Sequence, residues 1–596
     1  MSKKLEAIDY TSRDFASIRR DLENFARRYY PNTYGDFNEA SFGSLMLDTV
    51  AYVGDILSFY LDYQANESFL DSAIEYNNVV RLVRQMGLKL NPNPSSYGVV
   101  TLYIKVPAST TTQGPDTNYI PVLKASSEFT SDAGGYYTLL DDVDFAKEQN
   151  QIVVSDAGNT GAPTHFVIRA QGRAVSGRLG RDKITVGNFQ RFRKIPISIA
   201  RINNVVSVYD LEGHRFYEVD HLTQNVIYKA VRNTTATRAT VPNILKPFPV
   251  PRRFTVEFEN GKTFLQFGYG SDSELNNGSV IDPSNLMLNM NGRDYVTDTG
   301  FDPTKLLDTD KFGIAPANTD LVVSFRYNTT KDVNAPVNSI NEISRGLITF
   351  KEENVLAAAK RQGVVRSLQV INEEQFVGSV SLPDSDEIKQ RAYSYFATQN
   401  RAVTAEDYRA ICYGMPAKFG KVKRVAIVRD FDSFKRNLNL YVVSENASGK
   451  LVPPNASLKS NLKNWLAQYK MINDTIDILD AKIVNFGIEY EAAIDMSANR
   501  FNVINSAASA LASKFSHSYD IGEPINVSDI YKTLNKVEGL LDVITVRIVE
   551  KSGANYSGDS YDFRAATSAD NLRILAEENV VFEMKFPNTD IKGSIK

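Results

Sequence analysis

Hydrophobic and polar positions change their rhythm along the chain, and each rhythm predicts a different structure. Over the first 90 residues apolar positions recur at three- and four-residue steps, the helical period. Phe15, Ile18, Leu22, Phe25 and Tyr29 form one stripe. Thr11 followed by Asp14 is a weak capping box ahead of it, and Pro31 marks the stop, so a helix is predicted over 12–30. Arg13, Arg19, Arg20, Arg27 and Arg28 crowd its other faces, which suits either solvent or a partner. A second helix is predicted over about 41–64. Leu45, Met46, Val50, Val53, Ile56, Leu57, Phe59 and Leu61 cover most of its circumference, so most sides must be buried. Asp48, Asp55 and Asp62 are seven apart and share one narrow stripe. That stripe is either the wet edge of a bundle helix or a set of pairs with arginines of a partner helix, fixing register between chains. A third helix, about 72–86, ends at Gly87, a plausible left-handed cap. Three helices offer too little surface to cover the second. Pro92 and Pro94 set off a linker directly afterwards, so another chain is the favoured cover.

From 97 to 350 the rhythm is that of strands. Val99–Val106 and Phe254–Phe267 alternate, and Asn260-Gly261 is a strong hairpin turn. A long loop is expected around Pro283–Lys311. Helical signals return over 351–420: an alanine-rich segment at Leu356–Lys360, a helix over Glu387–Gln399, and a fresh start where Thr404 is followed by Asp407. Beyond Lys421 strands and helices alternate. Strands are predicted over 422–428, 438–443 and 541–549 and one or two over 476–493, with helices over 457–469, 507–515 and 527–536. This is the pattern of two-layer α/β sandwiches. The stretch 551–596 is polar and closes with a strand over 580–586. The whole reads as a multidomain α+β chain. It divides into a helical bundle segment for inter-subunit contacts (1–92), a β-rich region with long loops (93–350), a helical segment (351–420), α/β sandwich units suited to dimerisation (421–550) and a tail (551–596).

Composition narrows the function classes. At roughly 150 residues per domain, 596 residues suggest about four domains. Lys plus Arg number 67 and Asp plus Glu 70, a net charge of −3, which argues against a nucleic-acid binder. Met1–Ala7 has no apolar core, so no secretory signal is expected. The apolar stretch 42–63 carries three aspartates, each costing about 2.5–3.5 kcal/mol at a bilayer centre, so membrane insertion is not expected either. One cysteine, Cys412, permits neither an intrachain disulfide nor a multi-thiolate zinc site, and reads as a buried structural thiol.

Catalytic and cofactor motifs are equally sparse. Gly268-Tyr269-Gly270 lacks the third glycine and the following helix of a dinucleotide fingerprint, and reads as a turn. No phosphate loop, zinc-protease motif or nucleophile elbow occurs. His214 and His221, with Asp220 between them, read as ordinary histidines rather than metal ligands. Asp141-Asp142, Glu352-Glu353 and Glu373-Glu374 read as surface charge. No catalytic, cofactor or metal residue is assigned.

Several blocks, in order, resemble a known family. They are Asp9-Tyr10-Thr11-Ser12-Arg13-Asp14-Phe15, Ala40-Ser41-Phe42-Gly43, Leu47-Asp48-Thr49-Val50-Ala51-Tyr52-Val53-Gly54-Asp55, Phe59-Tyr60-Leu61-Asp62 and Asn66-Glu67-Ser68-Phe69-Leu70. Together they resemble the N-terminal helices of the baseplate wedge protein of T-even-like contractile-tailed bacteriophages. Asn400–Tyr408, within Arg391–Tyr408, is similar to a signature of the broader baseplate J-like family. So are Ile521-Gly522-Glu523-Pro524, Val527-Ser528-Asp529-Ile530 and Val537-Glu538-Gly539-Leu540, while Phe586–Gly593 fits the T-even-like members. Phe267-Gly268-Tyr269-Gly270 resembles the family's glycine-rich turn, with Tyr269 where an acidic residue is usual.

The resemblance implies a non-enzymatic subunit of the virion, assembled in the host cytoplasm. Two copies would join a second wedge protein through a helical bundle, and other baseplate and sheath-initiating subunits would bind. C-terminal regions would link wedges into a ring around the hub, whose change of diameter triggers sheath contraction. On this expectation Phe15, Ile18, Leu22, Leu45, Val53, Ile56, Phe59, Asp48, Asp55 and Asp62 are the partner-binding residues of the bundle. A carbohydrate-binding or carbohydrate-cleaving tail protein, served by the tyrosine-rich β region and its carboxylates, is the alternative. A scaffold for fibre attachment on 97–350 is a third reading.

Overall fold

The computed structural model describes residues 14–30, 38, 41–109, 114–158, 161–234, 236–259, 261–271, 312–430, 437–495, 498–517 and 519–595. Thr11, Pro31, Asn260, the loop at 283–311 and the block beginning at Asp9 lie wholly or partly outside them. Packing divides the chain into two compact units. One is Met1–Lys89 with Pro383–Gln399, and the other is Leu90–Leu382 with Asn400–Lys596. That division cuts across the 351–420 segment.

In the first unit helix α1 spans Phe15–Tyr29, α2 Phe42–Asn66 and α3 Tyr76–Gln85. Asp14 itself caps α1, its carboxylate accepting from the Ser17 N–H at 2.9 Å, so the residue read as the partner of a box is the cap. Ser41 caps α2 in the same way. The third helix is shorter than predicted, because Glu67 intervenes. Its carboxylate accepts from the N–H groups of Ile74 (2.8 Å) and Glu75 (3.2 Å) and from the Asn78 amide (3.0 Å). Those contacts hold 67–75 as turns and supply the N-terminal cap that Glu75 lacks. Helix α4, Ser385–Thr398, completes the unit, with Tyr393 donating to Asp71 at 2.5 Å.

The Asn78 amide, followed by the Ile74 N–H, holds the Glu67 carboxyl below its usual value of 4.5. A depressed folded value means that the cap's contribution is present above the ordinary carboxylate range and is lost as pH falls through the folded value. Amide exchange at Ile74 and Glu75 should therefore accelerate on acidification below about pH 4.5, beyond the intrinsic pH effect. Glu67→Ala should remove that pH dependence. Exchange in the parent that follows the intrinsic rate alone would count against the cap.

The second unit contains two large sheets and two α/β layers. In the first sheet the long strands Tyr97–Pro107 and Pro163–Ser176 pair antiparallel. They are flanked by Gln369–Ile371 on one side, and by Gln151–Ala157 and the Glu128–Ser131/Tyr136–Leu139 ladder on the other. Val100, Leu102, Ile104, Phe129, Ile168 and Phe376 fill its core. The second sheet is built around Thr319–Tyr327, which pairs with Arg178–Val186 and Ile202–Tyr209. Arg253–Glu259 and Lys262–Phe267 form its predicted hairpin, with Gly261 at φ +74° as the turn requires. A separate two-stranded ribbon, Val226–Arg232 with Asn243–Pro249, belongs to neither sheet.

Beyond residue 400 two sheet-and-helix layers follow each other. Asn437–Glu445 pairs with Arg424–Arg429 antiparallel and Thr475–Asp480 parallel, and Ala405–Tyr413 and Ala456–Leu466 supply helices to this layer's core. Thr404 and Asp407 form a complete capping box at the first of those helices. The stretch 476–493, read as one or two strands, is two, divided at Ala481. The second, Lys482–Ile494, is the spine of the last layer, with Leu540–Glu550 on one side and Val580–Glu583 and Ile591–Ile595 on the other. Helices Arg500–Phe515 and Val527–Leu534 contribute to its core. The closing strand stops at Glu583, and the final strand 591–595 follows a helical turn at Pro587–Asp590. Gly593 is required there, since a Cβ would lie 2.4 Å from the Tyr490 ring. The structure is thus the mixed α+β architecture expected: helices first, then β-rich sheets, then α/β layers.

Candidate functional site

Among the described residues the chemistry-bearing groups do not converge. Asp141 pairs with Arg173 (2.6 Å), Asp142 with Lys124 (2.8 Å), Glu353 with Arg361 (2.8 Å) and Glu373 with Arg169 (2.5 Å). The neighbouring carboxylates Asp141 and Asp142 thus turn to different cations. His214 lies 3.1 Å from Asp210. Among the described residues no group of three His, Cys, Asp or Glu side chains is placed to hold a metal. Cys412 is fully buried, and burial pushes its thiol pKa up. Gly268 and Gly270 are a backbone clamp. A Cβ on Gly268 would meet the Phe312 carbonyl at 2.2 Å, and Gly270 exchanges hydrogen bonds with Gly313 and Ala315.

What stands out is the surface of α2. The helix is apolar nearly all round, yet its only buried residues are Ser44 and Ala51. The α2 residues packed most closely on α1 are small or polar. Arg19 reaches across to Ser44 Oγ (3.1 Å) and pairs with Asp48 (2.8 Å), and the Ile18 side chain lies against Gly54, where a Cβ would be 3.2 Å away. Small residues let two helices approach closely, and the large side chains therefore end on the opposite faces. Leu45 is 57% exposed, Val53 49% and Phe59 65%, with Phe42, Tyr52, Leu57, Tyr60 and Leu61 exposed to similar extents.

The predicted partner-binding residues consequently divide. Phe15, Ile18, Leu22 and Ile56 are half-buried within the unit. Leu45, Val53 and Phe59 point to solvent. Asp48 finds its arginine in its own chain, and Asp55 and Asp62 are half-covered along the same stripe. Seven-residue spacing also relates Leu45, Tyr52 and Phe59, and Met46, Val53 and Tyr60. A seven-residue apolar repeat is what a supercoiled helix partner reads. Between α1 and α2 runs an apolar groove of about 330 Å³, lined by Leu22, Phe25, Ala26, Tyr30, Gly43, Met46, Leu47 and Val50. Of these only Leu22 was among the predicted partner-binding residues, because the groove depends on how the two helices cross. By length and composition α2 meets the measure of a membrane-crossing helix, the one among the described residues that does.

Residues 14–85, which hold these helices, match the family model described as the N-terminal domain of bacteriophage baseplate protein. By this domain match the chain is a structural protein of a phage-type baseplate, and its location is the tail baseplate of the virion. Two solved structures are similar at very low identity. One is the baseplate of the anti-feeding prophage, six-fold symmetrised, at 10% identity over 98% of this chain and 95% of that one, with a TM-score of 0.25. The other is the TssK-TssF-TssG baseplate subcomplex of a type VI secretion system, at 9% identity over 74% and 96%, with a TM-score of 0.23. At these values neither likeness carries structural or functional weight. No curated protein matches the chain.

Proposed function

We propose that this chain is a wedge subunit of the baseplate. The first unit joins it to partner helices in an inter-subunit bundle, two copies combine with a second wedge protein, and the α/β layers link wedges into a ring around the hub. In this reading the ring relays the conformational change that triggers sheath contraction, and among the described residues the carbohydrate alternative has no converging carboxylate pair behind it. The carrying observation is α2, whose Leu45, Val53 and Phe59 are exposed while Ser44 and Ala51 are covered. Burying one such side chain contributes about 1.5–3 kcal/mol, so a handful of them on a partner is enough for stable association. The test is the mass of the purified chain by light scattering, alone and co-expressed with the neighbouring tail proteins. A dimer that grows into a discrete larger complex supports the wedge. A monomer under both conditions overturns it.

A further inference from the structure

A second candidate surface lies within the second unit, on the ribbon Val226–Arg232/Asn243–Pro249. Between Asp220 and Glu257 the sequence holds Lys229, Arg232, Arg238, Lys246, Arg252 and Arg253 and no carboxylate. Four of these lie on the hairpin. The chain total is −3, so all other residues sum to −7. Register places Lys229 directly opposite Lys246, a like-charge pair that destabilises a hairpin on its own. Lys229 is spread over aromatic rings, 3.5 Å from the Phe248 centroid and 4.5 Å from that of Tyr217, with a hydrogen bond to the Tyr217 hydroxyl (3.0 Å). Every residue of Asn243–Pro249 is exposed, as are Tyr228 and Val231.

The ribbon is nevertheless held firmly. At its root Arg253 is completely buried, its Nε donating to the Leu222 carbonyl (2.6 Å) and its Nη1 to that of Val250 (3.0 Å), so one guanidinium ties the strand entering and the strand leaving. The Val250 N–H donates to the Asn225 carbonyl (2.8 Å). At the far end the buried Asn233 amide donates to the Val241 carbonyl (2.7 Å) and to Thr237 (3.2 Å). A fixed basic element binds without ordering cost, which is the condition for useful affinity from few contacts.

We propose that this hairpin docks an acidic, partly apolar surface of another protein in the assembly. Charge complementarity selects the sign. The apolar side chains of Tyr228 and Leu245, on the same face of the ribbon as Arg232, select a protein over a phosphate polymer or an anionic bilayer, which the remaining −7 of the chain repels over a longer range. Pro247 and Pro249 lack the N–H groups that strand addition needs, so recognition runs through side chains.

Fluorescence anisotropy of the full chain with a labelled 16-residue peptide alternating Glu with Leu and Tyr tests this. Its Gln analogue, a labelled DNA duplex and phosphatidylglycerol vesicles are the competing probes. The acidic peptide should bind, weaken as salt rises, and lose at least about tenfold in affinity to the triple variant Arg232→Gln, Arg238→Gln, Lys246→Gln. The variant's thermal unfolding should match the parent's. Four outcomes overturn the proposal: equal binding of the Gln analogue, an unaffected triple variant, tighter binding of DNA or vesicles, or self-association that the triple variant abolishes.

Discussion

Replacing both Leu45 and Phe59 with aspartate should abolish assembly with partner helices and leave the chain folded. These side chains are 57% and 65% exposed, so the unassembled protein has little packing to lose at either position. Surface changes of this kind normally stay within about 0.5 kcal/mol. In a bundle the same positions are covered. Each substitution then forfeits about 2–3 kcal/mol of apolar burial and adds a carboxylate that must be desolvated. Two together should weaken association by more than about a thousandfold, past detection at ordinary working concentrations. Light scattering of the variant with its partners, beside denaturant unfolding of the variant alone, separates the effects. A normal complex would remove α2 from the interface, and a lowered unfolding midpoint would show that the exposed face is part of the fold.

The second large effect is on stability, at Glu445. Its carboxylate is almost fully buried and pairs with Lys423 Nζ at 2.7 Å, while accepting from the Ser381 N–H (2.6 Å) and hydroxyl (3.0 Å). Lys423 Nζ also donates to Ser381 Oγ. Glu445→Ala leaves a buried ammonium without its anion, which costs about 3–5 kcal/mol. Replacing the pair together, as Lys423→Met with Glu445→Leu, should recover much of that loss, because a buried pair gains little over apolar residues of similar volume. Denaturant midpoints of the single and double variants check both halves. A loss below about 1 kcal/mol for the single change would mean that the site is wetter than its burial indicates.

The helices of the first unit were legible in the sequence because each sign lies within a few residues: the stripe Phe15, Ile18, Leu22, and the apolar run from Leu45 to Leu61. Which face of α2 meets α1 was not. That choice is made by Ser44, Ala51 and Gly54, residues too small to register in a hydrophobic pattern, and by Arg19 reaching Asp48 from another helix. The start of α3 was misplaced for the same reason. Glu67 acts from outside the helix, and nothing in its own neighbourhood announces it. The α/β layers were legible as alternating elements. The last strand, 591–595, was missed, because its pairing with 488–492 joins residues about a hundred positions apart. The basic hairpin shows the opposite limit. Its charges are plain in the sequence, but the confrontation of Lys229 with Lys246 exists only once the register is known.

Cys412 gives the molecule a practical property. The chain has one thiol, and that thiol is sealed inside the core formed by the Ala405–Tyr413 and Ala456–Leu466 helices, with its ionisation opposed by burial. Thiol reagents attack the thiolate, so the folded native protein is chemically silent toward them. A cysteine placed at Leu45, or at Lys246 on the basic hairpin, would be the single reactive sulfur on this chain. A dye or spin label there would report which of the two surfaces becomes covered first as the baseplate assembles.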